Sequence, residues 1–97
     1  MQNATQNAVL IDKNDVKDLR FPQSEVLNCI EDILSRKEQL RRALVLGNVD
    51  HNKVRIIFSD TQGEKMVETT IWAVTEVRII LKSGMVIPIH RIHQIIT

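Results

Sequence analysis

From Val54 onward the chain is a nearly continuous series of strand patterns separated only by gaps of turn length. The runs rich in β-branched residues are 54–58, 65–74, 77–81 and 85–89. The gaps are Asp60-Thr-Gln-Gly63, Glu76 and Ser83-Gly84. Such spacing is typical of an antiparallel meander. Pro88 cannot donate a ladder hydrogen bond, so we expect an edge, a bulge or a break there, with 92–96 as a short closing strand.

An amphipathic helix is predicted ahead of the strands. Ser24 has the chemistry of an N-cap, and Glu25 suits the positive start of a helix dipole. Apolar side chains recur at three- and four-residue steps from there, at Val26, Leu27, Ile30, Ile33 and Leu34. The helical pattern gives way near Leu40, and the apolar run 43–49 reads as an additional strand followed by a turn at 50–52.

Several predicted strands carry apolar residues on both faces. Val54, Ile56 and Phe58 alternate onto one face, as do Val77, Ile79 and Leu81, while Ile57, Ile80 and Trp72 point the other way. A sheet of this kind must be covered twice, by the helix on one side and by its own curl or a second subunit on the other. The sequence therefore predicts an α+β, mainly β fold: one N-terminal amphipathic helix on a five- to six-stranded, strongly curled antiparallel sheet or small SH3-like barrel.

The chain is expected to form one domain, because 97 residues suffice for a single core. Residues 1–20 are predicted to be a flexible polar segment and 21–97 the domain. The exception is Ala8-Val-Leu-Ile11, which either docks onto a sheet edge or stays loose. The single cysteine, Cys29, and the lack of a signal-like or membrane-spanning run indicate a cytoplasmic protein.

Three stretches carry a resemblance to a known fold: Val54-Arg-Ile-Ile-Phe-Ser-Asp-Thr-Gln-Gly63, Val77-Arg-Ile-Ile-Leu-Lys-Ser-Gly84 and Ile87-Pro-Ile-His-Arg-Ile-His-Gln-Ile95. With a helix ahead of them, they resemble SH3-type small β-barrels. In outline they are similar to Sm-like RNA-binding proteins and to the bacterial Rof-type inhibitors of transcription terminator Rho. The Asp-x-x-x-Asn type signature with which Sm proteins hold a base is absent from 72–77, so the resemblance implies no base-binding residue here.

The sequence contains no set of residues with the spacing of a catalytic or metal site. Zinc needs three or four converging ligands, and His90 and His93 project to opposite faces of a strand unless a turn at Arg91 brings them together. His51 is the one other histidine. The acidic candidates are Asp60, Glu64, Glu68 and Glu76, spread over turns and strands with no inferable pair. We therefore expect neither enzymatic activity nor a metal or other cofactor.

Basic residues provide the clearest functional signal, although the formal net charge is only +1. The candidates for contacting nucleic acid are Arg41, Arg42, Arg55, Arg78, Lys82 and Arg91, with Trp72 as a recognition aromatic. Alternatively, Arg78 with Glu68 and Lys65 with Glu76 form ordinary cross-strand pairs. Two hypotheses follow. The first is a protein-interaction or self-assembling module, whose partner is another protein or a second copy; the alternative is a small RNA- or DNA-binding barrel.

Overall fold

The protein was analysed as a computed structural model that describes residues 8–50 and 52–97. Among these residues the single α-helix is α1, Ile30–Asp50. The strands are β1 (Val9–Leu10), β2 (Val54–Ser59), β3 (Glu64–Thr69), β4 (Ile71–Val74), β5 (Arg78–Leu81), β6 (Val86–Pro88) and β7 (Ile92–Ile96). Two 3₁₀ turns cover Lys13–Asp18 and Ile89–Arg91. The predicted class, α+β with strands predominating and one helix, is confirmed.

The strands form two sheets rather than one strongly curled sheet. The first has the order β1-β3-β2-β7 and the second the order β4-β5-β6, and neither is closed on itself. The predicted strand 65–74 is divided at Thr70, whose hydroxyl donates to the carbonyl of Asn52 at 3.3 Å. The carbonyl of Thr70 accepts the amide of Lys82 at 2.9 Å. These contacts turn the chain from the first sheet into the second.

The helix begins later and ends later than predicted. Ser24 and Glu25 precede it, and the amide of Val26 donates to the carbonyl of His90 at 2.9 Å, which holds this segment against the strands. The strand predicted over 43–49 is wrong, because those residues continue α1. A short apolar run fits a buried strand and a buried helix equally well, and here the length of the helix and its contacts with β4 decide the outcome.

Gly47 marks a close approach of α1 to β4. A Cβ atom at this position would lie 2.7 Å from the carbonyl oxygen of Ile71 and 3.0 Å from Cγ2 of Thr70. Ala43, one turn earlier, is completely buried. Glycine is a poor helix former, but its missing side chain lets the helix backbone reach the sheet.

Gly47→Ala is therefore expected to destabilise the protein, although alanine is favoured in helices by about 1 kcal/mol. The added methyl group meets a backbone oxygen that cannot turn aside, and overpacking of this kind costs about 1–3 kcal/mol. Chemical denaturation would measure the net loss, with Ser35→Ala on the exposed face of α1 as the control that gains helix propensity without a clash. Equal stabilisation by both substitutions would contradict the close packing of α1 on β4.

The core lies between the two sheets and under α1. Its fully buried strand residues are Val54, Ile56, Phe58, Val67, Ile71, Ile79, Leu81, Ile87 and Ile92. Ile57 is also fully buried but lies outside this cluster. Leu40 and Ala43 add the inner face of α1. The predicted inward alternation of β2 and β5 is confirmed at these positions, but Val77, assigned to the same face as Ile79, is 59% exposed because it lies in the turn before β5.

The N-terminal segment 8–20 contacts the first sheet. Val9 and Leu10 pair in parallel with Lys65 and Met66 of β3, so docking onto a sheet edge is the alternative that the structure shows. This parallel pair is an exception to the antiparallel sheet that was predicted. Farther along, Val16 is buried in the core. The domain boundary at residue 20 stays a prediction.

Candidate functional site

The six basic candidates fall into three groups, and Arg91 stands alone as a buried residue. Its Nε donates to the carbonyl of Ser59 at 3.0 Å, and its Nη1 donates to the carbonyl of Ser24 at 2.9 Å. Only 8% of the residue is exposed. Arg91 ties the segment before α1 to β2, so it does not belong to an exposed basic surface.

Three further basic candidates are paired with carboxylates on the surface. Arg41 and Arg42 both contact Glu38 on α1. Arg55 Nε lies 3.4 Å from Glu68 Oε2, because β2 and β3 are neighbours and these two residues are in register. Glu68 therefore pairs with Arg55 and not with Arg78, and Lys65 pairs with Asp60 and not with Glu76. Each of these arginines has its charge partly compensated.

The remaining candidates, Arg78 and Lys82, share one surface with Trp72. Ile80 of β5 is in register with Ala73 of β4 and with Val86 of β6, whereas Ile79 and Leu81 point into the core. Side chains two residues apart on a strand lie on the same face, which places Arg78 on the same face as Ile80. Lys82 is the first residue after β5, in the turn that leads to β6. We call the surface formed by Trp72, Arg78, Ile80, Lys82 and Val86 the Trp72 face.

An irregularity in β4 directs Trp72 outward. Ile71 pairs with Leu81 and Ala73 pairs with Ile80, so Trp72 is an extra residue on the β4 side. A β-bulge of this kind re-aims side chains and is found near binding sites. The indole is on the surface and not in the core, with 53% of the residue exposed, and Val86 across the same face is 42% exposed. Of the carboxylates in 8–47 and 52–97, none forms an ion pair with Arg78 or Lys82 within 4.0 Å.

A second surface feature is a groove of about 960 Å³ between α1 and the β4–β5 turn. We call it the α1 groove. Its apolar lining comes from Ile33, Leu34, Leu40, Leu44, Val74 and Ile89. The charged residues of the lining are Arg36, Lys37, Glu38 and Arg41 from α1 and Glu76 from the turn. Charges of both signs along an apolar groove suit a protein segment better than a phosphate chain.

A partly buried polar cluster joins β2, β3 and β7. Ser59 Oγ lies 2.7 Å from His93 Nε2, and Glu64 Oε1 lies 3.8 Å from the same nitrogen. In a nucleophilic triad the carboxylate must hold the other ring nitrogen, so that the first one is free to take the proton of the serine. Here both groups face Nε2, and Ser59 is 8% exposed. The geometry is that of a structural hydrogen bond.

Burial lowers the pKa of His93, although the Glu64 carboxylate opposes this effect; Arg91 and Arg36 lower the pKa further, and Glu25 raises it. The folded state therefore favours the neutral imidazole. Its contribution to the free energy of unfolding is complete above the ordinary histidine pKa of 6.5 and is lost as the pH falls through the lower, folded-state value.

Between about pH 7 and about pH 5, we expect the free energy of unfolding to fall more in the wild-type protein than in a His93→Gln variant. The glutamine amide retains a hydrogen-bonding group for Ser59 but does not titrate. Urea denaturation at a series of pH values would measure the difference. Parallel curves for the two proteins would show that His93 titrates equally in the folded and unfolded states.

Neither a metal centre nor a membrane-spanning helix is found in the part of the chain that the structure describes. No three or more His, Cys, Asp and Glu side chains converge there. No described helix is both long enough and apolar enough to cross a bilayer. Cys29 is partly exposed, and its thiol donates to Glu31 Oε1 at 2.7 Å.

The chain matches no family model, no curated protein and no solved structure. Its function must therefore be argued from its own surfaces. Sequence reasoning identified Trp72, Arg78 and Lys82 separately, and the strand register brings them together. It missed the α1 groove, because the opposite wall, which includes Val74, Glu76 and Ile89, is distant from α1 in sequence.

Proposed function

We propose that the chain is a non-enzymatic protein-interaction module that contacts its partner through the Trp72 face. One observation carries this proposal: the register of β4, β5 and β6 places Ala73, Ile80 and Val86 in a row that crosses all three strands, and the unpaired Trp72 lies next to Ala73 on β4. Two of these side chains are substantially exposed to solvent. An apolar row of this kind on a sheet is a normal feature of a docking surface and an unusual one on a surface that only meets water.

The composition of the face supports a protein partner. Tryptophan and arginine are the residue types that most often dominate binding energy at protein interfaces. Arg78 and Lys82 flank the apolar row and supply a polar, positively charged rim. The hydrogen bonds between β5 and its two neighbours hold the row on a rigid scaffold, so little conformational entropy is lost on binding.

The alternative, a small RNA- or DNA-binding barrel, is supported by the same face. An exposed indole offers a stacking platform for a base, and Arg78 and Lys82 offer two contacts to phosphates. The weakness of this alternative is the number of cations. Three of the predicted basic residues, Arg41, Arg42 and Arg55, are paired with carboxylates, and Arg91 is buried. The predicted set therefore does not form one continuous positive surface.

Trp72→Ala tests the proposal, because a half-exposed residue can be removed without opening the core. We expect a change in the free energy of unfolding of less than about 1 kcal/mol, together with loss of a protein that the wild type captures and that binds again after purification. Gln62→Ala, at an exposed position in the β2–β3 turn, is the control and should retain the partner.

A fluorescence titration with single-stranded oligonucleotides at low and high salt separates the two functions. Trp72 is the sole tryptophan, so its emission reports directly on this face. Tight binding that falls steeply with salt would favour the nucleic-acid alternative. Retention of the purified protein partner by Trp72→Ala would refute the Trp72 face as the docking surface.

We also infer that the strands follow an SH3-type arrangement. Support comes from the path of neighbouring strands, which runs from β7 to β2 and β3, passes through Thr70 into β4, and continues to β5 and β6. The 3₁₀ turn at Ile89–Arg91 connects the two ends of this path. A free thiol as the only cysteine chemistry suits a reducing compartment such as the cytoplasm.

A further inference from the structure

The outer surface of α1 carries a stripe with exposed apolar ends and a charged centre, in which Arg41 pairs with Glu38 of the same helix. Its members are Ile30, Leu34, Lys37, Glu38, Arg41 and Val45. Steps of three and four residues keep them on one side of a helix. The apolar members are well exposed: 65% for Ile30, 58% for Leu34 and 51% for Val45. We call this set the α1 stripe.

The order of residues along the α1 stripe is self-complementary. When a second α1 is laid antiparallel with a two-fold axis between Lys37 and Glu38, Lys37 of each copy faces Glu38 of the other. The same operation sets Ile30 opposite Val45 and Leu34 opposite Arg41. Apolar ends therefore meet apolar ends, opposite charges meet at the axis, and the aliphatic part of the arginine covers the leucine.

We propose that a second copy of this chain docks on the α1 stripe as an antiparallel, two-fold symmetric helix pair. Four residues belong both to the stripe and to the lining of the α1 groove: Leu34, Lys37, Glu38 and Arg41. A helix seated on the stripe therefore also shields that groove. The stripe spans about 22 Å of helix, a small contact for a protein interface, so the dimer forms and dissociates with concentration.

The edges at β7 and β6 are poorer sites for self-association. The amide of Ile95 on β7 donates to Gln39 Oε1 at 2.7 Å, and the carbonyl of Ile92 accepts from Arg36 Nη1 at 2.9 Å. Side chains of α1 thus occupy the outer hydrogen-bonding groups of β7. On β6, Pro88 has no amide proton to donate. Pairing through the α1 stripe needs neither edge.

An exchange of charges tests this pairing. Lys37→Glu puts carboxylates on both sides of the axis, and Glu38→Lys puts ammonium groups there. We expect each variant alone to weaken self-association by about tenfold or more, because like charges then face each other at the centre of the interface. An equimolar mixture of the two variants should form a heterodimer with wild-type affinity. Analytical ultracentrifugation over a range of concentrations measures self-association of each single variant and of their mixture.

Lys53→Glu is the matched control, since it makes the same charge change at an exposed position outside the stripe and should dimerise like the wild type. Circular dichroism checks that every variant is folded. A wild-type protein that stays monomeric at high concentration, single variants that dimerise normally, or a mixture that stays monomeric would each overturn the proposal. A monomer whose capture of another protein is abolished by Lys37→Glu would assign the stripe to that protein instead.

This inference is independent of the ligand of the Trp72 face. Trp72→Ala should leave self-association unchanged, since the residue lies on β4 and outside the α1 stripe. Loss of dimerisation in Trp72→Ala would contradict the helix pairing. Failure of partner capture with an intact dimer would count against the proposed function alone.

Discussion

Ile79→Asp is expected to unfold the protein. Ile79 is completely buried at the centre of β5, where it is in register with Val74 on one side and Ile87 on the other. A carboxylate at this position loses its water and finds no partner, because the surrounding side chains are aliphatic. We expect a cost above about 4 kcal/mol, which is most of the stability of a small domain. Circular dichroism and one-dimensional proton NMR would show the loss of structure.

Val77→Asp is the control for this substitution. It introduces the same carboxylate two residues earlier, at a position that is 59% exposed. We expect it to change the free energy of unfolding by less than about 0.5 kcal/mol. A cooperative, wild-type-like thermal transition for Ile79→Asp would mean that β5 does not bury this face.

The strands of the C-terminal half could be predicted because their signals are local. Alternation fixes which residues of β2 point inward, and Val54, Ile56 and Phe58 are all buried as expected. Turns can be predicted from glycines, because glycine readily adopts a positive φ. Gly84, which lies between β5 and β6, has a φ of 87°. The position of Pro88 at the end of an edge strand follows from its missing donor.

The ends of α1 could not be predicted in the same way, since they depend on contacts distant in sequence. The segment around Val26 is held by the carbonyl of His90 and not by helical bonds. At the other end, the run beginning at Ala43 is helical because it packs on β4, and Gly47 makes that packing possible. Neither partner can be recognised from the local sequence.

The candidate site shows the same division between local and distant information. Sequence identified Trp72, Arg78 and Lys82 by residue type, but only the register of three strands places them on one face. The bulge at Trp72 is invisible to a simple alternation of inward and outward residues. Arg91 was counted as a surface cation because its partners, Ser24 and Ser59, are remote in the chain.

The ion pair between Arg36 and Glu25 is another feature that sequence did not reveal. Nη1 and Nη2 of Arg36 lie 2.7 Å from Oε2 and Oε1 of Glu25, a bidentate arrangement. Nη1 also donates to the carbonyl of Ile92 at 2.9 Å. The guanidinium thus joins the segment before α1, α1 itself and β7.

The hydrogen bonds from Arg36 lower the pKa of Glu25. The contribution of this ion pair to the free energy of unfolding is therefore present above the ordinary pKa of 4.5 and is lost as the pH falls through the folded-state value.

Glu25→Ala is expected to destabilise the protein more than Arg36→Met, although Glu25 is the more exposed partner. The Arg36 side chain is only 5% exposed against 33% for Glu25, so removing the carboxylate leaves a buried cation with Ile92 as its remaining acceptor. Stranding a buried charge costs about 3–5 kcal/mol. In Arg36→Met the methionine side chain fills the buried volume, and the Glu25 carboxylate is hydrated by solvent. We therefore expect the free energy of unfolding to fall by less than about 2 kcal/mol. Urea denaturation of the two single variants and of the double variant measures this difference in the free energy of unfolding. The double variant should be about as stable as Arg36→Met. Equal costs for the two single substitutions would show that water reaches the guanidinium in the folded protein.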